Sequence, residues 1–453
     1  MDDAIPVTIL SGSLGAGKTT LVNHLLRNAG REIAVLVNDV GEINVDADLI
    51  ADGSELDVDD GVAELSNGCI CCGLQDDLNT EVVRLARERE FTHLVVEASG
   101  ISEPAPIARL FTTGSQAAAL YEVDTLATVV DAHLFFESFV AGESADDAST
   151  TADAGAGDTD GPVTDAVAKR GPDEDGTRPL SDLLVEQVEY ADVLLLNKCD
   201  LLDDAQLDRV EDLLAALQPA AEIVRTTHSA VDPDRLLGTG LFDVGRMGET
   251  AGWKRALDEA DHDHGEETAA SHADNDPGDH ADHDPSDHAD NDPGDHADHG
   301  HRHPPEEYGV SSFTYRRRRP FHPERVATVL GDLPATVVRS KGTCWVAGSD
   351  QQQVFSQAGP SARVTATGQW VAEMSELDQQ LYRSNRSDLD WDDEWGDRRT
   401  GLVFIGTSID EDALVAALDD ALLSDDELAD WRAYSPDPFP SDPEADDVVL
   451  AEP

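Results

Sequence analysis

An apolar run at residues 5–10 opens directly into GSLGAGKT, and no other feature limits the fold of this chain so sharply. A run of that length suits a buried parallel strand, and the stretch 18–28 that follows the loop has helical character. The loop has the form G-x-x-x-x-G-K-[ST] in the strand–loop–helix setting this pattern needs. Glycines let successive backbone N–H groups converge on a phosphate, and the helix start adds the positive end of its dipole. Gly12, Ser13, Leu14, Gly15, Ala16, Gly17, Lys18, Thr19 and Thr20 are therefore predicted to cradle a nucleotide's phosphates. Lys18 reaches the β- and γ-phosphates and Thr19 ligates Mg²⁺. The plain alternative, a glycine turn with a chance lysine, does not account for the strand before and the helix after.

Further short apolar runs at 33–37, 93–96, 127–130 and 193–196 read as strands, and 78–89 reads as a helix before the second of them. Strands alternating with helices predict an α/β fold: a doubly wound, mostly parallel P-loop NTPase sheet with its functional loops at the carboxyl edge. Two strand ends carry chemistry. The last strand runs into Asn197-Lys198-Cys199-Asp200, the N-K-x-D form of a guanine reader. The Asp200 carboxylate can accept from both N1–H and the 2-amino group of guanine, donors that adenine lacks there. The strand at 93–96 ends in Glu97, an acid that can hold a Mg²⁺-bound water or orient the attacking one; capping the next turn is the structural alternative. GTP and Mg²⁺ are thus the expected cofactors. No arginine finger is legible, so unassisted hydrolysis is expected to be slow.

Charge excludes some partners. The chain has 94 acidic and 31 basic residues, a net charge of −63, and lysine only at 18, 169, 198, 254 and 341. Such a surface repels nucleic-acid phosphates and anionic membranes. Its self-repulsion is screened at ~1 M salt, where the Debye length is about 3 Å, so the composition reads as adapted to a salty cytoplasm; acidic inserts that skew the count are the alternative. No apolar run approaches the ~18 residues of a membrane span, and no signal-like stretch opens the chain, so a soluble cytoplasmic protein is expected.

Cys69, Cys71 and Cys72 fall within four residues, too close for a disulfide framework and suited to soft-metal or redox chemistry in a reducing compartment. Thiolates so arranged favour Zn²⁺ or Cu(I), although small buried cysteines can also be inert packing. A second tract, 262–303, holds ten of the fifteen histidines in an eight-residue repeat: His262, His264, His272, His280, His283, His288, His296, His299, His301 and His303. Imidazoles with interleaved aspartates can make several weak sites for Zn²⁺, Ni²⁺ or Co²⁺. A solvated acidic linker grown by repeat expansion is the other reading. Residues 141–178, rich in Asp, Ala, Gly and Thr, are expected to form an exposed insert without a core.

Taken together, GSLGAGKTT, NDVGE (38–42), NGCICC (67–72), VVEASGISEP (95–104) and NKCD resemble the CobW-type branch of P-loop GTPases, the CobW/HypB/UreG class. RRRRPFHPER (316–325), VRSKGTCWVA (338–347) and GDRRTGLVFIG (396–406) resemble that family's second domain. The resemblance implies a GTP-hydrolysing metallochaperone, most often for zinc, that serves a client metalloprotein. It places an internal metal site at Cys69, Cys71 and Cys72, with Glu42 as a further ligand. Asp39 departs from the glutamate usual in NDVGE. Assembly of a cobalt–corrin cofactor or one dedicated metalloenzyme, and metal storage or sensing with nucleotide as regulator only, are the alternative functions.

The expected domains are a GTPase unit over 1–245, a His/Asp-rich linker over 246–307, a smaller α+β domain over 308–424 and a frayed acidic tail over 425–453. In the second domain, 311–315, 336–339, 342–347 and 402–405 read as strands, and 323–330 and 412–423 as helices. His24 and His93 read as packing residues, Trp345 as core, and the arginines at 316–319 as contacts to acidic neighbours or a partner.

Overall fold

The computed structural model describes residues 4–37, 62–64, 74–112, 114–141, 179–245, 251–257, 309–386 and 389–451. Glu42, Cys69, Cys71, Cys72, the ten tract histidines and the insert beyond residue 141 lie outside these.

Among the described residues the first sheet has seven strands, all parallel, in the order β3-β2-β4-β1-β5-β6-β7. They are β1 (Ile5–Ser11), β2 (Ile33–Val37), β3 (Val62–Glu64), β4 (His93–Glu97), β5 (Tyr121–Asp131), β6 (Val193–Asn197) and β7 (Glu222–Arg225). Helices α1 (Lys18–Asn28), α2 (Leu74–Glu88), α3 (Pro104–Thr112), α4 (Ala132–Phe139), α5 (Leu180–Glu189) and α6 (Asp204–Leu217) cross between them. The central strands are buried on both faces and so read as unbroken apolar runs. Val7 and Ile9 enter the core under α2 and α3, while Leu10 enters the core under α1. Neighbours β1 and β4 send the chain in opposite directions, towards β2 and β5, so a crevice opens beyond their carboxyl ends. The Leu10↔Glu97 register sets the phosphate loop beside Glu97.

The second domain is a six-stranded antiparallel sheet in the order β13-β11-β10-β9-β12-β8. These strands are β8 (Val310–Arg317), β9 (Val337–Cys344), β10 (Gln351–Ala358), β11 (Ser361–Gln369), β12 (Thr400–Thr407) and β13 (Val448–Ala451), with helices α7 (Pro323–Gly331), α8 (Glu376–Asn385), α9 (Glu411–Ala421) and the short α10 (Asp425–Leu428). Val310, Val338, Val403 and Ile405 share a core with Leu194 and Leu196 of the first sheet and with α4, α5 and α6. Two buried carboxylates of α5 also meet arginines of the second sheet, Glu189 with Arg339 and Asp182 with Arg363.

Several expectations are corrected. The two strands read at 336–339 and 342–347 are one, β9, because Gly342 continues the strand. It sits at φ 151°, and a Cβ there would lie 2.0 Å from the carbonyl of Gly401 on β12, so the glycine admits a close neighbour strand. The tail after 424 is folded. Trp431 meets Trp345 edge-on at 5.4 Å, Phe439 is buried, and β13 completes the sheet edge against β11. A few apolar anchors suffice where acidic composition suggested fraying. Residues 251–257, assigned to the linker, pack between the domains. Trp253 takes Lys341 over its ring at 4.8 Å, and Leu257 joins the shared core. Three of the arginines at 316–319 meet acidic neighbours, as expected: Arg317 pairs with Asp419 at 2.8 Å, Arg319 with Asp425 at 2.7 Å, and Arg318 with Asp390, while Arg316 donates to the Leu257 carbonyl.

Candidate functional site

The site is assembled at the carboxyl edge of the first sheet, where β1, β4 and β6 end. Lys18 opens α1 and is nearly buried. Its Nζ donates to the carbonyls of Gly12 (2.9 Å) and Ser13 (3.2 Å), folding the ammonium back over the loop. Gly17 has φ 115°, and a Cβ on it would lie 2.4 Å from Asn197 Nδ2 and 2.7 Å from Ser229 Oγ, so only glycine lets the loop lie against those side chains. Leu14 and Thr20 face solvent, and Ala16 is buried.

Thr19 Oγ1 donates to Glu97 Oε1 at 3.2 Å, and Glu97 is only 2% exposed. A hydroxyl beside a buried carboxylate is a set of hard oxygen donors, the chemistry that suits Mg²⁺. The β1–β4 register brings the two together, since Thr19 is the second residue of the helix after β1 and Glu97 closes β4.

Asn197 joins the two halves of the site. Its Nδ2 donates to the Ala16 carbonyl (2.8 Å) and to Ser229 Oγ (3.0 Å). Its Oδ1 accepts from Thr226 Oγ1 (3.1 Å) and the Ser229 N–H (2.9 Å). All four hydrogen-bonding positions of the amide are used, which fixes its flip state and its place. Lys198 adopts a left-handed backbone (φ 63°) and donates to Asp131 Oδ2 at 2.6 Å. That turn leaves Asp200 exposed in a single 3₁₀ turn beyond β6. An exposed carboxylate there can receive two N–H donors from one base edge.

Sequence reasoning missed three contributors. Ser229 is fully buried and also donates from Oγ to the Gly17 carbonyl at 3.0 Å; with His228 it holds a left-handed conformation (φ 54° and 53°). Thr226 closes the same loop. No periodicity marks these residues, because β7 is short and only half-buried. Asp131, also missed, had a signal that could have found it: an acid between an apolar strand and a helix is an N-cap pattern, and its Oδ1 accepts from the N–H groups of His133 and Leu134. His24 donates through Nε2 to the Val231 carbonyl at 2.7 Å. His93 is fully buried against Thr8 Oγ1, and burial pulls its pKa down to about 4.

Comparison with known proteins agrees with this architecture. Residues 6–225 match the model of the CobW/HypB/UreG nucleotide-binding domain, and 310–422 match the CobW carboxyl-terminal domain. The chain is 34% identical over 470 residues to zinc-regulated GTPase metalloprotein activator 1 of Dictyostelium discoideum, covering 98% of this chain and 86% of that one. It is 33% identical over 267 residues to the zinc chaperone CobW of Sinorhizobium sp, covering 58% and 69%. It is 25% identical over 425 residues to the zinc chaperone YjiA of Escherichia coli (strain K12), covering 91% and 97%. With a glycine-rich loop between β1 and α1, an N-K-x-D turn after β6 and a second antiparallel domain in one chain, this protein belongs to the CobW/HypB/UreG family of P-loop GTPases.

Proposed function

We propose that this protein is a metallochaperone that binds zinc, or a similar transition-metal ion, at Cys69, Cys71 and Cys72, and uses GTP binding and hydrolysis to deliver it to a client metalloprotein. The observation that carries the nucleotide half of this reading is Asn197, whose amide locks the phosphate loop to the turn that presents Asp200. A base and its phosphates are then gripped by one rigid unit, so recognition of guanine and the positioning of the γ-phosphate come together.

In this reading the loop's backbone N–H groups hold the phosphates and Lys18 neutralises charge that develops during transfer. Thr19 and Glu97 hold Mg²⁺, which when bound supplies charge neutralisation at the phosphates. Glu97 also orients the attacking water. Asp200 selects guanine through paired N–H donors. For the metal half, the support is the C-x-C-C sequence together with the names of the relatives, which are zinc chaperones and a zinc-regulated activator. The cysteines lie in the chain between the phosphate loop and Glu97, where γ-phosphate contacts order or release a switch segment in GTPases. Metal affinity then follows nucleotide state, with Glu42 as a further ligand and the histidine tract as a loading reservoir. The acid-rich surface suits work at high salt inside the cell. Among the described residues no helix is long and apolar enough to cross a membrane.

Calorimetry in concentrated KCl with Mg²⁺ tests the first half: GTP and GDP bind and ATP does not. Zn²⁺, Co²⁺ and Ni²⁺ titrations of the GTP- and GDP-bound forms test the second, with a Cys69/Cys71/Cys72→Ala variant as control. Equal metal affinity in both nucleotide states sinks the switch, and unchanged affinity in the variant sinks the site.

A further inference from the structure

Helix α5 touches both the nucleotide site and the second domain through buried polar groups. On one side, Gln187 is 1% exposed, and its Nε2 donates to the carbonyl of Ser102 at 3.2 Å, in the loop that leads from Glu97 into α3. The backbone carbonyl of the same residue accepts from Thr128 Oγ1 at 2.8 Å, and Thr128 Oγ1 lies 2.7 Å from Ser11 Oγ, the residue before Gly12. One residue of α5 is thereby tied to the base of the phosphate loop and to the segment after Glu97.

The other side of α5 faces the second sheet. Glu189 takes a forked pair from Arg339 of β9, Nε to Oε1 at 2.7 Å and Nη2 to Oε2 at 3.0 Å, with side chains 1% and 4% exposed. Arg339 goes on to Ser356 Oγ and the Gln357 carbonyl on β10. Asp182, in the first turn of the helix, is buried against Arg363 of β11 and within 3.4 Å of Ser361 Oγ. A forked, buried pair such as Arg339–Glu189 holds orientation tightly, because any tilt breaks two charge-assisted bonds at once. A helix bonded so firmly to β9 and β11 cannot shift without shifting them.

We propose that Gln187 is a positioning residue through which the second domain senses the nucleotide. A change in the segment after Glu97 moves the Ser102 carbonyl, Gln187 carries the movement to α5, and Glu189 and Asp182 pass it to β9 and β11. Among the described residues the amide's Oε1 has no hydrogen-bond partner, so Gln187 has an acceptor left to bond a second arrangement of that loop. The inference rests on the GTP-binding reading and adds to it a route to the domain that follows the histidine tract in the chain.

The test is hydrogen exchange of the full chain in high salt, with GDP and with a non-hydrolysable GTP analogue, read at 337–344 and 361–369. The parent protein should exchange differently with the two nucleotides in both segments. Gln187→Leu and Gln187→Glu each remove the donor to Ser102. Both should keep nucleotide affinity within about threefold while the exchange difference shrinks roughly tenfold. Failure of the parent to bind GTP overturns the functional reading itself. GTP binding without any exchange difference in the second sheet overturns only this proposal, as does a difference that survives in both variants. Should neither variant fold, Arg339→Lys keeps the charge but loses the fork, and it must abolish the difference.

Discussion

The side-chain amide of Asn197 donates to the carbonyl of Ala16 across 2.8 Å, so the residue that opens the N-K-x-D turn also braces the glycine-rich loop. Asn197→Ala removes four hydrogen bonds at once and leaves the Ala16 carbonyl and the Ser229 N–H without their partner. GTP affinity should fall by about 10- to 100-fold and stability by about 1–3 kcal/mol. Calorimetry with GTP and urea denaturation measure the two losses, and a loss of affinity without any loss of stability contradicts the bracing role.

Asp200 is exposed and Lys198 is held on Asp131, and the proposed reading gives the acid the guanine edge. Asp200→Asn exchanges an acceptor for a group that donates. Affinity for GTP should drop at least ~100-fold, and affinity for xanthosine triphosphate, which offers a 2-carbonyl in place of the amino group, should rise. Competition binding of the two nucleotides checks the exchange.

Glu97 meets Thr19 at 3.2 Å inside the site. Glu97→Gln keeps the shape and removes the charge. Nucleotide binding should stay within about threefold while phosphate release slows ~100-fold, a kcat effect separated from KM. Steady-state phosphate release across GTP and Mg²⁺ concentrations reads both.

The Arg339–Glu189 pair is buried on both sides. Arg339→Met strands a carboxylate and should cost about 3–5 kcal/mol, whereas Arg339→Met with Glu189→Met should cost less than the single change. A double-mutant cycle by denaturation at fixed salt measures the coupling, and additive losses refute it.

His93 sits below its ordinary pKa, near 4, because burial opposes its charge. As pH falls below 6.5 the unfolded chain takes up a proton that the folded chain refuses, so stability declines down to about pH 4 and then levels. The full difference is worth about 3 kcal/mol. His93→Gln retains an N–H for Thr8 without titrating. It should lose less stability than the parent between pH 7 and 4.5 in parallel urea titrations.

The first domain was largely legible because its strands are buried on both faces and its loops carry fixed chemistry. Helix α1 falls where the phosphate-loop pattern puts it, and β2, β4 and β6 coincide with apolar runs. What stayed hidden has a physical cause. β10 buries Gln353 and Gln357, whose Nε2 groups donate to the backbone carbonyls of Pro440 and Val337, so its inward face shows no apolar alternation. β7 is half-buried and β3 is three residues long. Within the site, Thr226 and Ser229 act by being close to Asn197 in space, and a single sequence carries no sign of that proximity. Thr19 and Glu97, by contrast, each carried a sign of its own, the phosphate-loop pattern for one and an acid at a strand end for the other, and they lie 3.2 Å apart.

The placement of β13 has a practical corollary for anyone preparing this protein. Val448–Ala451 shields the flank of β11, using the final few residues of the described chain. Cutting the chain near 424 would unmask a row of peptide groups able to recruit strands from other molecules. Material shortened that way should clump even if each core still forms. An affinity handle belongs at the opposite terminus, away from this seam.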